Sequence, residues 1–276
     1  MDLGSFLQKF LQVVASPWAL VDRATARRRE EITSQAFPPE WEEILSTNLP
    51  VYRSLDADLK SRFRHGVQIF LAEKRFEGCQ GFEITDEVRV TIAAHACLLQ
   101  LGSSPRYYPR VSTILVYPSS FSSQVAVSRD GVLVEETGHW SGMARYHDYV
   151  ILGWDPALRG ARDFTDADNP IVHEFAHQLD FEDGVSDGVP ILPGAQRYGS
   201  WARVFAHEYR KHVSALEHDR STLLSDYAGR NPAEFFAVLT EYFFERPHAL
   251  SEKHPQLYRE LKNFYEVDPL EWSSRA

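Results

Sequence analysis

Two histidines lie four residues apart at His173 and His177, and Glu174 directly follows the first of them. On an α-helix, residues four apart share one face, within about 40° of each other around the axis. Both imidazoles can therefore bind one metal ion, while the Glu174 carboxylate can reach a water molecule on that ion. Asn169 as a cap and Pro170 in the first turn predict where this helix begins. The segment predicts a zinc site with its own base.

The same pattern also arises by chance, and two histidines on one helix face can be ordinary core or surface residues. A second segment offers a comparison, because His207 and His212 lie five residues apart with Arg210 and Lys211 between them. Five residues rotate about 140° around a helix, which separates the imidazoles, and the two basic residues disfavour a cation. We therefore expect a metal only at the first segment.

A catalytic zinc ion normally takes three protein ligands and leaves one position for water. The candidates for the third ligand are Glu234 and Glu241, in a helix predicted to begin at the cap Asn231. Glu234 could instead close a capping box onto Asn231. Glu241 lies in an apolar run, where a carboxylate needs a partner or a metal. The two are seven residues apart on one helix face, so spacing alone does not decide between them.

Asp180 lies three residues after His177 on the continuing face of the same helix. A carboxylate there could hydrogen-bond a ligand imidazole and fix its tautomer. A surface or capping role fits Asp180 equally well. The acidic loop of residues 180–184 does not match a calcium-binding EF-hand, because its twelfth position is Ile191 rather than glutamate.

Apolar periodicity predicts helices on both sides of a central group of strands, which is an α+β fold, mostly helical with a small mixed sheet. Residues 1–35 are expected to form a helical amino-terminal extension, and residues 36–276 the main domain. Predicted helices cover residues 59–74, 88–101 and 256–265, and predicted strands cover 113–117 and 149–154, with a hairpin around Asp130 and Gly131.

Composition narrows the classes of partner. The chain has 29 basic and 39 acidic residues and a net charge of −10, so its field repels nucleic acid. Cys79 and Cys97 match neither a zinc-type pair nor a disulfide framework, and we expect two buried reduced thiols. No apolar run reaches the roughly 18 residues needed to cross a membrane, and the amino terminus lacks the pattern of a secretory signal. These features predict a cytoplasmic protein without a membrane partner.

Several motifs together resemble one known family, the Mlc titration factor A peptidases of bacteria. The resemblance covers roughly residues 38 to 270 and is far more specific than the histidine pattern alone. Its motifs are Glu77-Gly78-Cys79-Gln80-Gly81-Phe82, Ile114-Leu115-Val116-Tyr117-Pro118, residues 173–180 with Asp183-Gly184 and Asp187-Gly188-Val189-Pro190, and residues 231–244.

This resemblance implies a zincin fold similar to the catalytic domain of anthrax lethal factor. It implies that the third zinc ligand is Glu234, the glutamate of a Pro-Ala-Glu segment, and that Glu241 is a buried supporting carboxylate. It also implies a tyrosine near the metal seven residues before that ligand, a position that Tyr227 holds here.

The function implied is that of a zinc-dependent, aminopeptidase-like enzyme acting on a peptide or protein substrate, with Glu174 as the base. Enterobacterial members of the family also bind and inactivate the glucose repressor Mlc, so a transcriptional repressor is a second expected partner. The alternative is a repressor-binding protein whose zinc site is not essential. A zinc deaminase is disfavoured, because its Cys-x-x-Cys ligands are missing.

Overall fold

The structure is a computed structural model that describes residues 23–102, 105–129, 132–140, 142–143 and 148–273. Helices occupy both ends of the chain and the strands lie between them, so the predicted α+β class is confirmed. The helices are α1 (Arg23–Thr33), α2 (Pro39–Asn48), α3 (Ala57–Glu73), α4 (Asp86–Leu98), α5 (Trp154–Arg162), α6 (Pro170–Asp180), α7 (Tyr198–Glu217), α8 (Pro232–Glu245), α9 (Pro247–Lys253), α10 (Pro255–Tyr265) and α11 (Leu270–Ser273). The strands are β1 (Arg75–Gly78), β2 (Thr113–Tyr117), β3 (Phe121–Arg129), β4 (Val132–Trp140), β5 (Gly142–Met143) and β6 (Tyr149–Gly153).

The main sheet is small and mixed, with strand order β1-β2-β6-β5. Strands β1, β2 and β6 are parallel, and the short β5 pairs antiparallel with β6. The β-branched and aromatic residues of β2 fit such a half-buried surface, as the sequence predicted. Helix α6 packs against β5 and β6, which brings the predicted metal helix onto the sheet.

Strands β3 and β4 form a separate antiparallel pair, in register from Phe121 opposite Trp140 to Arg129 opposite Val132. This pair is the predicted hairpin, and both of its strands are longer than the hydrophobic segments on which the prediction was based. The turn residues Asp130 and Gly131 lie outside the described residues.

Helices α6 and α8 pack against each other, and α4 and α5 also contact α6. Phe175 of α6 is fully buried, and its ring contacts those of Phe70 and Tyr108. On α8, Phe235, Phe236 and the residues up to Phe244 are buried as well. These two helices carry the predicted site residues, so the core itself fixes how the site residues face each other.

Residues 1–22 of the predicted amino-terminal extension lie outside the described residues, while α1 is helical as expected. Helix α1 contacts α3, where the Arg29 guanidinium forms a two-pronged ion pair with Glu73 at 2.7 and 2.9 Å. The domain boundary after residue 35 stays a prediction. Both cysteines are free, but only Cys97 is buried as expected, because Cys79 is half-buried.

Candidate metal centre

Helix α6 begins where the sequence predicted. The side-chain oxygen of Asn169 accepts hydrogen bonds from the backbone N–H groups of Ile171 and Val172, at 3.1 and 3.2 Å. Pro170 follows in the first turn, where its missing N–H costs nothing. His173 and His177 are partly exposed, while every other residue of α6 is buried.

The two imidazoles meet the carboxylate of Glu234 around one point. Glu234 Oε2 lies 3.0 Å from His173 Nε2 and 3.2 Å from His177 Nε2, and the two nitrogens are 3.2 Å apart. Tetrahedral zinc with bonds of about 2.0–2.1 Å separates its ligand atoms by about 3.3 Å, so this triangle fits such an ion. Within the described part of the chain, it is the one group of three or more metal-binding side chains that converge.

Glu234 also takes part in the cap of α8, but only through its backbone. Its N–H donates to Asn231 Oδ1 at 2.9 Å, while its carboxylate turns toward the imidazoles. Burial raises the pKa of Glu234, but the hydrogen bonds from His173 and His177 outweigh burial and hold that pKa well below its usual range. The carboxylate is therefore negatively charged, as a metal ligand must be.

Glu241 lies behind His173 rather than beside His177. Its Oε2 is 3.3 Å from His173 Nδ1, and its Oε1 accepts a hydrogen bond from the backbone N–H of Asn169 at 3.0 Å. Burial raises the pKa of Glu241, and His173 opposes that rise. One carboxylate thus contacts both an imidazole and the start of the helix that carries it.

A further buried carboxylate, Glu245, extends this contact. It accepts hydrogen bonds from the Asn169 side-chain amide at 2.9 Å and from the backbone N–H of Ala167 at 3.0 Å. Sequence reasoning missed Glu245. Its spacing of four residues after Glu241 was the available signal, because it puts both on one face of α8.

Glu174 is buried, with only 6% of its surface exposed. Its Oε2 atom has no hydrogen-bond partner among the described residues. Burial raises the pKa of Glu174 to about 7, against the effect of the two nearby imidazoles. A carboxyl group with a pKa near neutrality can both accept and return a proton, which is what general acid–base catalysis requires.

Tyr227 lies in a 3₁₀ turn, Asp226–Gly229, that packs on α8. Its ring centre is 5.7 Å from that of His173, edge to face, so the tyrosine lies next to the imidazole cluster. Burial raises the pKa of Tyr227 to about 12, and Arg230 opposes the rise. The phenol therefore keeps its proton at neutral pH and can donate a hydrogen bond.

The Arg230 guanidinium lies over the Tyr227 ring, 4.3 Å from its centre. No sequence pattern indicated that Arg230 would contact Tyr227, because this contact depends on how the 3₁₀ turn ends.

Asp180 is fully buried, so a surface role is excluded. Its Oδ2 accepts hydrogen bonds from the Ser186 hydroxyl at 3.2 Å and from the backbone N–H of Gly188 at 3.0 Å. Gly188 has a φ of +77°, and a Cβ atom there would lie 2.3 Å from the Pro232 carbonyl oxygen. Asp180 and Gly188 together hold this loop against Pro232, in the first turn of α8. Pro232 lies two residues before Glu234.

The second histidine segment behaves as its spacing predicted. His207 is exposed, His212 is buried, and they take no part in a converging group. A five-residue spacing placed the two side chains on different sides of α7.

The chain matches the family model described as glucose-regulated metallopeptidase M90 over residues 23–266. That match begins earlier than the resemblance seen in the sequence and includes helix α1. An uncharacterized protein of Synechocystis sp. is 41% identical over 251 residues, which are 88% of this chain and 89% of the relative. Mlc titration factor A of Enterobacter sp. is 31% identical over 254 residues, 88% of this chain and 91% of the relative. Mlc titration factor A of Escherichia coli is 29% identical over 258 residues, 90% of this chain and 92% of the relative.

Proposed function

This chain belongs to the glucose-regulated metallopeptidase M90 family, and from that premise we propose that it hydrolyses peptide bonds with a zinc ion bound by His173, His177 and Glu234. Membership implies a metallopeptidase-type domain with a divalent metal. The choice of zinc rests on the donor set, since two imidazoles and one carboxylate form a common set of catalytic zinc ligands.

The main support for the proposal is that Glu174 has a buried carboxylate oxygen without a hydrogen-bond partner among the described residues. A buried acceptor without a partner costs roughly 1–3 kcal/mol, so proteins seldom keep one without a use. Here that acceptor belongs to the residue directly after the first ligand. A structural zinc site closes its fourth position with a protein ligand and needs no base beside it.

A zinc ion held by these three ligands would supply Lewis-acid chemistry, which would make water acidic enough to attack at neutral pH and would withdraw charge from a carbonyl group. Glu174 accepts one proton from the attacking water and passes it to the amide nitrogen as the C–N bond breaks. Tyr227 donates a hydrogen bond to the carbonyl oxygen as that oxygen gains negative charge. Glu241 holds the Nδ1 side of His173, which leaves Nε2 directed at the metal position.

The direct test compares the wild type with Glu174→Gln, since the amide keeps the shape of the side chain but cannot accept a proton. We expect one zinc per chain in both proteins by elemental analysis. The wild type should digest a peptide library, and a chelator or the variant should stop it. A Glu174→Gln protein that digests peptides as fast as the wild type would contradict the assignment.

We further propose that the cleavage is aminopeptidase-like, because the chain resembles the Mlc titration factor A proteins. Their name also supports a second candidate, in which the chain binds an Mlc-like transcriptional repressor and the zinc site is not essential. A repressor as partner requires that the protein act in the cytoplasm, which we include in the proposal. Glu174→Gln separates the candidates: unchanged regulation in the cell supports repressor binding, and lost regulation with retained binding supports the peptidase.

A further inference from the structure

Arg230 is a cation beside the proposed active site, and neither the metal ligands nor the proposed reaction requires it. Its side chain is exposed and forms no salt bridge within the ranges that the structure describes. Many other surface cations of this chain do have acidic partners, such as Arg75 with Glu77 and Arg162 with Glu87. A guanidinium that lacks a carboxylate partner is available to bind one from a ligand.

The position of Arg230 relative to the metal ligands is limited by two contacts. Its guanidinium carbon is 4.3 Å from the Tyr227 ring centre, which is 5.7 Å from the His173 ring centre. Together these distances limit its separation from the imidazole to about 10 Å, the length of three residues of extended peptide. A substrate bound at the metal would therefore have its neighbouring residues within reach of Arg230.

Charge makes this position selective. Besides burial, the carboxylates of Glu234 and Glu174 raise the pKa of the Tyr227 phenol and the Arg230 guanidinium lowers it, so these three charges all act on the same hydroxyl group. The chain as a whole carries a net charge of −10, which disfavours acidic ligands at long range. An acidic substrate thus needs a local cation, and the guanidinium suits carboxylates because it can donate two parallel hydrogen bonds.

We propose that Arg230 determines substrate specificity at this site by binding a carboxylate on one of the two residues next to the cleaved peptide bond. The carboxylate is that of an aspartate or glutamate side chain of the substrate. The inference rests on the proposed peptidase function, whose substrate class it narrows. Stacking on Tyr227 holds the guanidinium in place and reduces the side-chain entropy lost when the carboxylate binds.

The test uses pairs of otherwise neutral peptides that differ only by glutamate or glutamine at one of the two residues that form the cleaved bond, and each of these two residues is tested in turn. We expect the wild type to show a KM about five-fold lower for glutamate at one of these positions, the range of a partly exposed ion pair. Arg230→Met should abolish that preference by raising the KM of the glutamate peptide to that of the glutamine peptide, and Arg230→Lys should keep part of it. Arg259→Met, an exposed arginine on α10, is the matched control and should behave as the wild type.

Three results would overturn the inference: no preference in the wild type, a preference that survives in Arg230→Met, or a kcat that falls equally for every peptide. The last result would mean that Arg230 supports Tyr227 or the reaction itself instead of selecting the substrate. Added salt provides a further check, because it should reduce the preference for glutamate.

Failure of the peptidase proposal can be told apart from failure of this one. If no peptide is hydrolysed, equilibrium binding of the same peptides to zinc-loaded Glu174→Gln protein still measures the preference. Tighter binding of the glutamate peptide that disappears when Arg230→Met is added supports the role of Arg230 without the reaction. Hydrolysis without any glutamate preference refutes the role of Arg230 alone.

Discussion

The Glu241 carboxylate touches the Nδ1 side of His173 at 3.3 Å, while the Glu234 carboxylate touches the Nε2 side of the same ring at 3.0 Å. One imidazole is thus held between two carboxylates that come from the same face of α8. The Glu241 carboxylate favours the tautomer of His173 in which Nδ1 carries the proton and Nε2 is free to bind a metal.

We predict that Glu241→Gln weakens zinc binding about ten-fold or more, because an amide supports the imidazole less well than a carboxylate does. Competition with a chromophoric chelator measures the dissociation constant. Glu245→Gln is the control, since Glu245 contacts Asn169 and not His173, and its zinc affinity should remain close to that of the wild type. Equal affinities in all three proteins would refute a supporting role for Glu241.

Tyr227→Phe should lower kcat by about 100-fold, because one hydrogen-bond donor to a developing oxyanion is worth roughly 3 kcal/mol. The phenyl ring fills the same space, so zinc affinity and stability should stay near the wild-type values. Steady-state kinetics together with the chelator assay separate the two effects. A variant that loses zinc along with activity would show that the hydroxyl group serves the fold of the site.

Gly188→Ala should reduce the free energy of unfolding by about 2–3 kcal/mol, since a side chain is strained at φ +77° and would collide with the Pro232 carbonyl. Urea unfolding measures the loss. Gly199→Ala is the matched control, because Gly199 lies in helix α7 with no atom within 4 Å of the added Cβ. That change should leave stability unchanged or raise it by up to about 1 kcal/mol.

His95 should make the fold sensitive to acid. It is fully buried, its Nδ1 lies 3.0 Å from the Thr91 carbonyl oxygen, and burial lowers its pKa from 6.5 to about 4. Between these two values the unfolded chain binds more protons than the folded chain, so stability falls as the pH drops through that window.

The loss expected from His95 is on the order of 3 kcal/mol between pH 6.5 and pH 4. His95→Gln cannot gain this charge, so its stability should depend less on pH by that amount. Unfolding is measured with a chelator present, so that release of metal does not contribute. The same stability difference between variant and wild type at pH 7 and pH 4 would disprove the role of His95.

Local spacing was enough to predict how the first half of the candidate site is arranged. The four-residue separation of His173 and His177 and the cap at Asn169 depend only on helix geometry, and both appear in the structure as expected. The strand over residues 113–117 was predicted from its β-branched residues for the same reason. Local rules sufficed here because neighbours along the chain determine these features.

The choice between Glu234 and Glu241 could not come from spacing, because both lie on one face of α8. Which of them reaches Nε2 depends on how far α8 is shifted along α6, and that shift is fixed by contacts between distant parts of the chain, such as Glu241 with the Asn169 backbone. The contacts of Asp180 could not be predicted from spacing along the chain either. Its buried hydrogen bonds to the 186–188 loop depend on a chain reversal that helix periodicity does not encode.

The three carboxylates of α8 that face α6 lie at positions 234, 241 and 245, within about 40° around the helix axis. Inserting or deleting one residue inside this stretch would rotate the later carboxylates by about 100° and detach them from the helix they hold. We therefore expect the length of this segment to be constant among chains that keep the activity. The exposed loop before it, around Asp219 and Arg220, has no such constraint and can vary in length.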